Sequence, residues 1–392
     1  MNRKQIAANK LGVLTGMHFT VDMLSGMVPG FLPVILEKYS LSVAAGSLLI
    51  AVLGFSCNGL QLMVGGLRSE QKKPLFIQMG LILTGIVCLI GFVPVSSGAI
   101  YWLLLLMMLT GFGVALVHPE GLRGVCAVDN SAIAPPVATS VFMLAGFLGC
   151  SCGPLVSSVL VELMGLKGLL LLLIIVLPLL YLFQQARVKL AMGQADKKPR
   201  KVQVAVPQSP LTFWEIFLLA VFINTGCMIV SGLLPTYLRL AQFSLLFSGL
   251  SAMLFGLGAG LSALYTSSVL IKRFPVVKLI KYQIMAGVPI MILYIVGAER
   301  SMWWLPLALI SGVLVGAGFP QLVTLCRTAA NGPALGTRMG LIVGGTWGVA
   351  GLLFLGVGAF ADLFTLRYAL LLSPLSFICA IILLIYYGRK TK

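Results

Sequence analysis

A chain of 392 residues with 59% hydrophobic and only 9% charged side chains is not a soluble globular domain, which carries about 25% charged residues. Its net charge of +17 would suit a nucleic-acid partner, but the basic residues sit in short loops between long apolar stretches. That distribution excludes a nucleic-acid groove and fits orientation across a membrane.

In hydrocarbon every backbone polar group must be satisfied within its own segment or a closed barrel. Unbroken apolar runs such as 100–117 are nearly twice the length of a barrel strand and fit helices of about 20 residues. Twelve spans are predicted, at roughly 11–36, 42–66, 75–93, 100–122, 136–163, 167–186, 211–238, 245–271, 278–298, 302–326, 336–361 and 367–387. The expected fold is an all-α membrane protein of twelve transmembrane helices in two pseudo-symmetric six-helix bundles. The bundles occupy 1–186 and 211–392, joined by a basic, proline-containing cytoplasmic linker at 187–210. No stretch is left for a separate enzyme domain, and no cofactor is expected.

The first span carries Asp22 near its middle, where a charge costs about 2.5–3.5 kcal/mol on insertion scales. The span is too long for a cleaved signal and is read as retained. An acid at that depth faces a cavity, is paired, or is protonated. His18 lies one helical turn earlier on the same face and can pair with it. Asp22 and His18 are therefore proton-coupling candidates; the alternative is a structural pair that holds helices together.

In the fourth span His118, Pro119 and Glu120 are followed by Arg123. Pro119 removes a backbone donor and loosens the helix locally. Arg123 lies within pairing distance of Glu120. Either Glu120 and His118 exchange protons while Arg123 holds an anionic group, or the cluster is a salt-bridge gate. No metal site is expected, because the two histidines lie on different spans and no third ligand is suitably spaced. Cys150 and Cys152 in the fifth span read as small packing residues. Glu162, near the end of that span, is assigned no role.

The second half repeats the first. Leu32-Pro33 recurs as Leu234-Pro235, and Gly111 and Pro119 recur as Gly312 and Pro320. Repeats of this kind mark transporters that rock two bundles about a midplane site. The same offsets align Asp22 with Asn224 and Glu120 with Gln321, so the second half carries amides where the first carries acids. Asn224, Gln321 and Trp347 are pathway candidates, Trp347 as a stacking surface. Arg327 and Arg338 are expected to snorkel to headgroups. Asp362 and Arg367 read as a pair across the turn before the last span.

All but five of the 27 Lys and Arg residues (Lys38, Lys167, Arg239, Arg300 and Arg367) fall on the side that holds both termini. The positive-inside rule then predicts cytoplasmic termini in a plasma (inner) membrane, with anionic lipid contacts and no nucleic-acid partner. A monomer is expected.

The arrangement resembles the major facilitator superfamily. Within it, His18-Phe-Thr-Val-Asp22 with Gly26, Pro29 and Leu32-Pro33 resembles the fosmidomycin-resistance type of exporter. So do Val117-His118-Pro119-Glu120-Gly121 with Arg123, and Gly345-Thr-Trp347-Gly348 with Gly356 and Ala361-Asp362. The resemblance implies proton-driven export of a small drug-like or anionic organic molecule by alternating access. It departs from the superfamily pattern at Ser69, where an Asp is usual, while Gly149-Cys-Ser-Cys-Gly153-Pro154 is similar to a fifth-span antiporter pattern. The alternatives are a proton-coupled importer or exchanger of a small organic anion, and a transport-inactive scaffold or receptor.

Overall fold

The computed structural model describes residues 2–67, 71–129, 131–191 and 209–390. Twelve apolar helical spans cross it: α1 (Arg3–Lys38), α2 (Val43–Gly65), α3 (Leu75–Phe92), α4 (Ala99–Cys126), α5 (Val137–Met164) and α6 (Leu166–Ala186), then α7 (Phe213–Leu240), α8 (Leu245–Lys272), α9 (Val276–Ala298), α10 (Met302–Cys326), α11 (Thr337–Leu363) and α12 (Leu366–Gly388). The chain is thus a multi-pass, all-helical membrane protein. Most edges fall within a few residues of those predicted. The main departure is α1, which starts at Arg3 because the Asn2 side chain caps it, accepting the Gln5 N–H at 2.9 Å. Ser69 and most of the basic linker lie outside the described residues.

Several spans are interrupted where the sequence weakens the helix. α1 breaks at Met27, just before Pro29 and Gly30. α3 ends in a 3-10 segment (Ile86–Phe92) and α6 begins in one (Leu166–Leu172). α10 breaks between Val315 and Gly318. α11 contains a π-helical segment, Leu341–Gly345, directly before Thr346 and Trp347. π segments recur at functional positions in helices.

Buried side chains form two clusters. One is built from the first six helices with Leu245 added, and the other from the last six. Within the first half, α1 and α5 approach closely because small residues face each other. A Cβ on Gly153 would lie 2.6 Å from Met23 O, and one on Gly26 would lie 2.6 Å from Cys150 O. The antiporter-like glycine pattern is therefore a packing seam against α1.

With an even number of spans, both termini lie on one face, here called the terminal face; the opposite one is the far face. The halves meet through α2 with α11, α5 with α8, and the far-face part of α1 with α7 and α8. Their named contacts run from the far face to the midplane. Gly358 packs on Ser47 and Ala44, Gly249 on Ser158, Gly232 on Ile50, and Gly256 on Ser151.

Two carboxylates cross the seam at the far face. Asp362, at the end of α11, accepts the N–H groups that open α2, from Val43 at 2.8 Å and Ala44 at 3.0 Å. Glu162, at the end of α5, accepts the Leu246 N–H at the start of α8 at 2.5 Å. Each acid sits on the positive end of a helix dipole in the other half. The expected Asp362–Arg367 turn pair does not form. Arg367 instead pairs with Glu299 at 2.8 Å, since that acid lies beside it on the neighbouring α9–α10 turn. Arg338 also departs from expectation. It bonds the carbonyls of Ala329 at 2.5 Å and Pro333 at 2.9 Å, tying down the α10–α11 turn where it was expected to reach the headgroups.

On the terminal side an open groove of about 480 Å³ runs along α5 beside Leu264 of α8, lined by Pro135, Ser140 and Phe147 among others. Contact between the halves continues toward the terminal face, where Leu341–Gly345 of α11 packs on α2.

Candidate functional site

Near the midplane, three ionisable side chains from α1 and α4 converge. Asp22 Oδ2 lies 3.2 Å from His18 Nε2, and Asp22 Oδ1 lies 2.9 Å from His118 Nε2. The rings of His18 and His118 meet edge-on with centroids 5.0 Å apart. His18 also stacks on Phe142 of α5 at 4.1 Å, and its Nδ1 lies 2.7 Å from the Phe142 carbonyl. The outer nitrogen of His118, Nδ1, lies 2.9 Å from the Gln61 side-chain nitrogen in α2. Four helices of one half therefore build the site. His18 is 5% exposed, whereas Asp22 at 16% and His118 at 24% are partly exposed.

The absence of a side chain at Gly146 makes this approach feasible. A Cβ there would lie 2.5 Å from the His18 ring and 2.6 Å from Asp22 Oδ2. α5 thus supplies a floor that brings Phe142 and Gly146 against the pair from below.

The hydrogen bonds set a proton count. A carbonyl oxygen only accepts, so His18 Nδ1 carries a hydrogen. Were His18 neutral and Asp22 ionised, the Nε2 lone pair would face a carboxylate oxygen with nothing between them. The His18–Asp22 contact therefore needs one extra proton, on the imidazole or on the acid. His118 does not: with Gln61 donating to Nδ1, its neutral Nε2–H donates to Asp22. Rotation of the Gln61 amide would present its oxygen to Nδ1 and let His118 become doubly protonated as well.

The other residues singled out from sequence are placed elsewhere. Glu120 is 2% exposed, and its Oε2 accepts the N–H groups of Phe76 at 2.9 Å and Ile77 at 3.3 Å at the start of α3. It does not share the hydrogen bonds that hold His118 to Asp22; the turn of α4 carries the two side chains in different directions. Arg123 donates to the carbonyls of Ala191 at 2.8 Å and Gln71 at 2.6 Å, joining the first linker residues to the α2–α3 loop.

In the second half, Asn224 Nδ2 donates to Thr346 Oγ1 at 3.0 Å, and Gln321 Nε2 donates to Ser267 Oγ at 3.0 Å. The carbonyl oxygens of both amides are buried without a protein partner. Trp347 meets Phe319 edge-on at 5.9 Å, just after the π segment.

Sequence reasoning did not name Gln61, Phe142 or Gly146 as members of the site. A lone Gln within an apolar span was a usable signal for Gln61. Nothing in sequence marked the other two, because their role depends on the rotation of α5. Nor did it find the far-face carboxylates, although Glu162 plus the repeat offset of 201 falls at 363, beside Asp362.

Twelve apolar helices with two buried cores and an off-centre polar cluster define a transporter-type membrane protein. The profile of the Major Facilitator Superfamily matches residues 14–355, and the chain belongs to that family of secondary transporters. It is 27% identical over 159 residues to the fosmidomycin resistance protein of Escherichia coli (strain K12), a match covering 40% of this chain and 37% of that protein. The matched stretch thus spans little more than a third of that relative's length.

Solved structures show the same fold at low identity. The nucleoside transporter NupG superposes with a TM-score of 0.76 at 10% identity, covering 98% of this chain and 100% of that one. A bacterial homologue of the human lysosomal transporter Spinster, inward-facing and unoccupied, gives 0.73 at 15% identity, covering 98% and 97%.

Proposed function

We propose that this chain is a proton-coupled exporter of a small drug-like or anionic organic molecule, with His18, Asp22 and His118 as its proton site. It works by alternating access in a plasma (inner) membrane, as a monomer with the terminal face in the cytoplasm. The observation that carries this reading is the His18–Asp22 contact, which is satisfied only while it holds a proton.

Loss of that proton to the interior turns an attractive contact into a repulsion between lone pairs. His118 then remains the donor to Asp22, and the pair opens. An anionic substrate group that approaches His118 competes with Asp22 for the same hydrogen, so substrate and carboxylate exclude each other. Reloading from the far side restores the closed pair, which lowers the cost of carrying the acid through the occluded state. Glu120 and Arg123 act as a gate: each ties a terminal-face loop or helix start to α4, and Arg123 can release the loop and linker carbonyls to meet an anion. The buried amide oxygens of Asn224 and Gln321 lack a protein partner and become acceptors for substrate donors only when the second half rearranges, and Trp347 offers a stacking face. Membrane lipids contact the basic loops. The 27% identical relative is named for fosmidomycin resistance, which supports export of a drug-like molecule.

The test is reconstitution in liposomes with a trapped pH dye under an imposed pH gradient, with a panel led by fosmidomycin-like phosphonates. Wild type should move protons when substrate is added, and Asp22→Asn should not. Substrate-dependent proton flux that survives in Asp22→Asn would sink the assignment. Accumulation of the substrate by intact cells, instead of its depletion, would reverse the direction to import.

A further inference from the structure

The sequence alone argued against a metal site because no third ligand stood near the two histidines. The fold supplies it. We infer that His18, Asp22 and His118 form a binding site for one borderline first-row divalent cation of the zinc type, taken up in place of the site's extra proton.

Four observations carry this. First, one ligand atom from each of the three side chains lies within 4.8 Å of the other two. A tetrahedral ion with ligands at about 2.0–2.2 Å requires them roughly 3.3–3.6 Å apart. The two histidine-to-carboxylate separations, 3.2 Å to Oδ2 and 2.9 Å to Oδ1, are close to that edge length but reach different oxygens. A turn of the carboxylate brings one oxygen toward both rings. The remaining separation closes by rotation of His118, the more exposed ring.

Second, the nitrogens that would bind are aimed and the opposite nitrogens are anchored. His18 Nδ1–H is held by a backbone carbonyl at 2.7 Å, the arrangement that orients imidazoles at metal centres and leaves Nε2 as the ligand. His118 Nδ1 rests on the Gln61 amide at 2.9 Å, and a turn of that amide supplies the matching carbonyl acceptor.

Third, the neutral-imidazole form of the His18–Asp22 contact faces two lone pairs with no hydrogen between them. A cation resolves that as well as a proton does.

Fourth, Asp22 and His118 keep part of their surface exposed, at 16% and 24%, which leaves one coordination position for water or an anionic group. Two imidazoles and a single carboxylate suit zinc, cobalt or nickel. Magnesium and calcium prefer shells of oxygen and do not fit.

Binding rests on this geometry alone and does not require the proposed transport activity. It has one consequence for that activity: a bound ion occupies the position of the proton and holds α1 to α4, so zinc arrests coupled flux.

The experiment uses the tag-free, metal-free full chain in lipid nanodiscs. Zinc is titrated by equilibrium dialysis, and cobalt by its visible d–d absorption. Wild type should bind one ion per chain with a non-octahedral cobalt spectrum. Asp22→Asn and His118→Gln should each lose that ion while keeping a cooperative thermal transition. Gln61→Ala should weaken binding by roughly 10–100-fold, the usual effect of removing a partner that orients a ligand.

The site is overturned if wild type binds no ion, or if Asp22→Asn and His118→Gln bind as wild type does. It is equally overturned if cobalt shows thiolate charge-transfer bands, which would place the ion on cysteines. A chain that couples substrate to protons yet binds no ion leaves the proposed function standing and removes only this site. A chain that binds the ion but moves no substrate does the reverse.

Discussion

The two halves share a helical scaffold and differ in what they place at its centre. At offsets of 201 and 202, the positions of His18, Asp22 and His118 become Ala220, Asn224 and Phe319. One half thus presents an ionisable cluster, the other an amide and an aromatic pair. Asn224 reaches across to Thr346 of α11, whereas Asp22 is held within α1 and by α4. The second half therefore offers no imidazole to share a proton with an acid in the equivalent place. Symmetry survives instead at the far face, where Glu162 and Asp362 each cap a helix of the opposite half. The ionisable cluster thus belongs to one bundle, and the hold between bundles is built twice.

The largest expected effect comes from moving the acid. The double variant Asp22→Asn with Asn224→Asp should show no substrate-coupled proton flux in liposomes, because Ala220 and Phe319 provide no partner. Restored flux would show that the halves are interchangeable. The displaced acid, buried at 1% exposure without a cationic partner, should also lower thermal stability measurably.

A smaller change acts on the same cluster through its floor. Gly146→Ala introduces a methyl group 2.5 Å from the His18 ring. Overpacking of this kind costs about 1–3 kcal/mol and forces the pair apart. Coupled flux should fall sharply with only a modest drop in melting temperature. At Gly260, on the face of α8 that meets α5, a Cβ would lie an ordinary 3.6 Å from Phe147, so Gly260→Ala should change neither measurement.

The shared feature can be broken in steps. Each far-face carboxylate on a helix start is worth about 0.3–1 kcal/mol, and up to about 2 when partly buried. Asp362→Asn and Glu162→Gln should each move the population toward far-face opening. Together they should shift it by roughly 5–30-fold if they sum to about 1–2 kcal/mol. Distances between spin labels at the far-face ends of α2 and α11 would report this; an unchanged distribution in the double variant would show that the caps do not hold the halves.

The smallest effect is expected at Asn224. Its carbonyl oxygen already lacks a partner, and Thr346 retains its own bond to the Ile342 carbonyl. Asn224→Ala should change melting by the equivalent of about 1 kcal/mol or less, while raising the KM for substrate if the free oxygen serves the cargo.

Much of the fold was legible from sequence, for a definite reason. A chain that crosses hydrocarbon must satisfy its backbone locally, so length and apolarity alone mark each span. The repeated Leu-Pro and Gly/Pro positions then paired the two halves. The first-span pair was also local: His18 and Asp22 share a helix face one turn apart, and they do meet. The fourth-span cluster was not. His118 and Glu120 are two residues apart and point to different neighbours, one to Asp22 and the other to the start of α3.

The amino-acid sequence by itself determined the twelve helices, the repeat that relates the first six to the last six, and the amides Asn224 and Gln321 at the repeat positions of the acids Asp22 and Glu120. Only the tertiary structure decided that His118, 96 residues from Asp22, completes its shell, that Phe142 anchors His18 from 124 residues away, and that Asp362 closes a helix 319 residues earlier. The physical reason is that hydrogen bonds along a helix are dictated by adjacency in the chain. Which side chains meet across helices depends on the rotation and tilt each helix takes in packing, and small residues such as Gly146 set that approach.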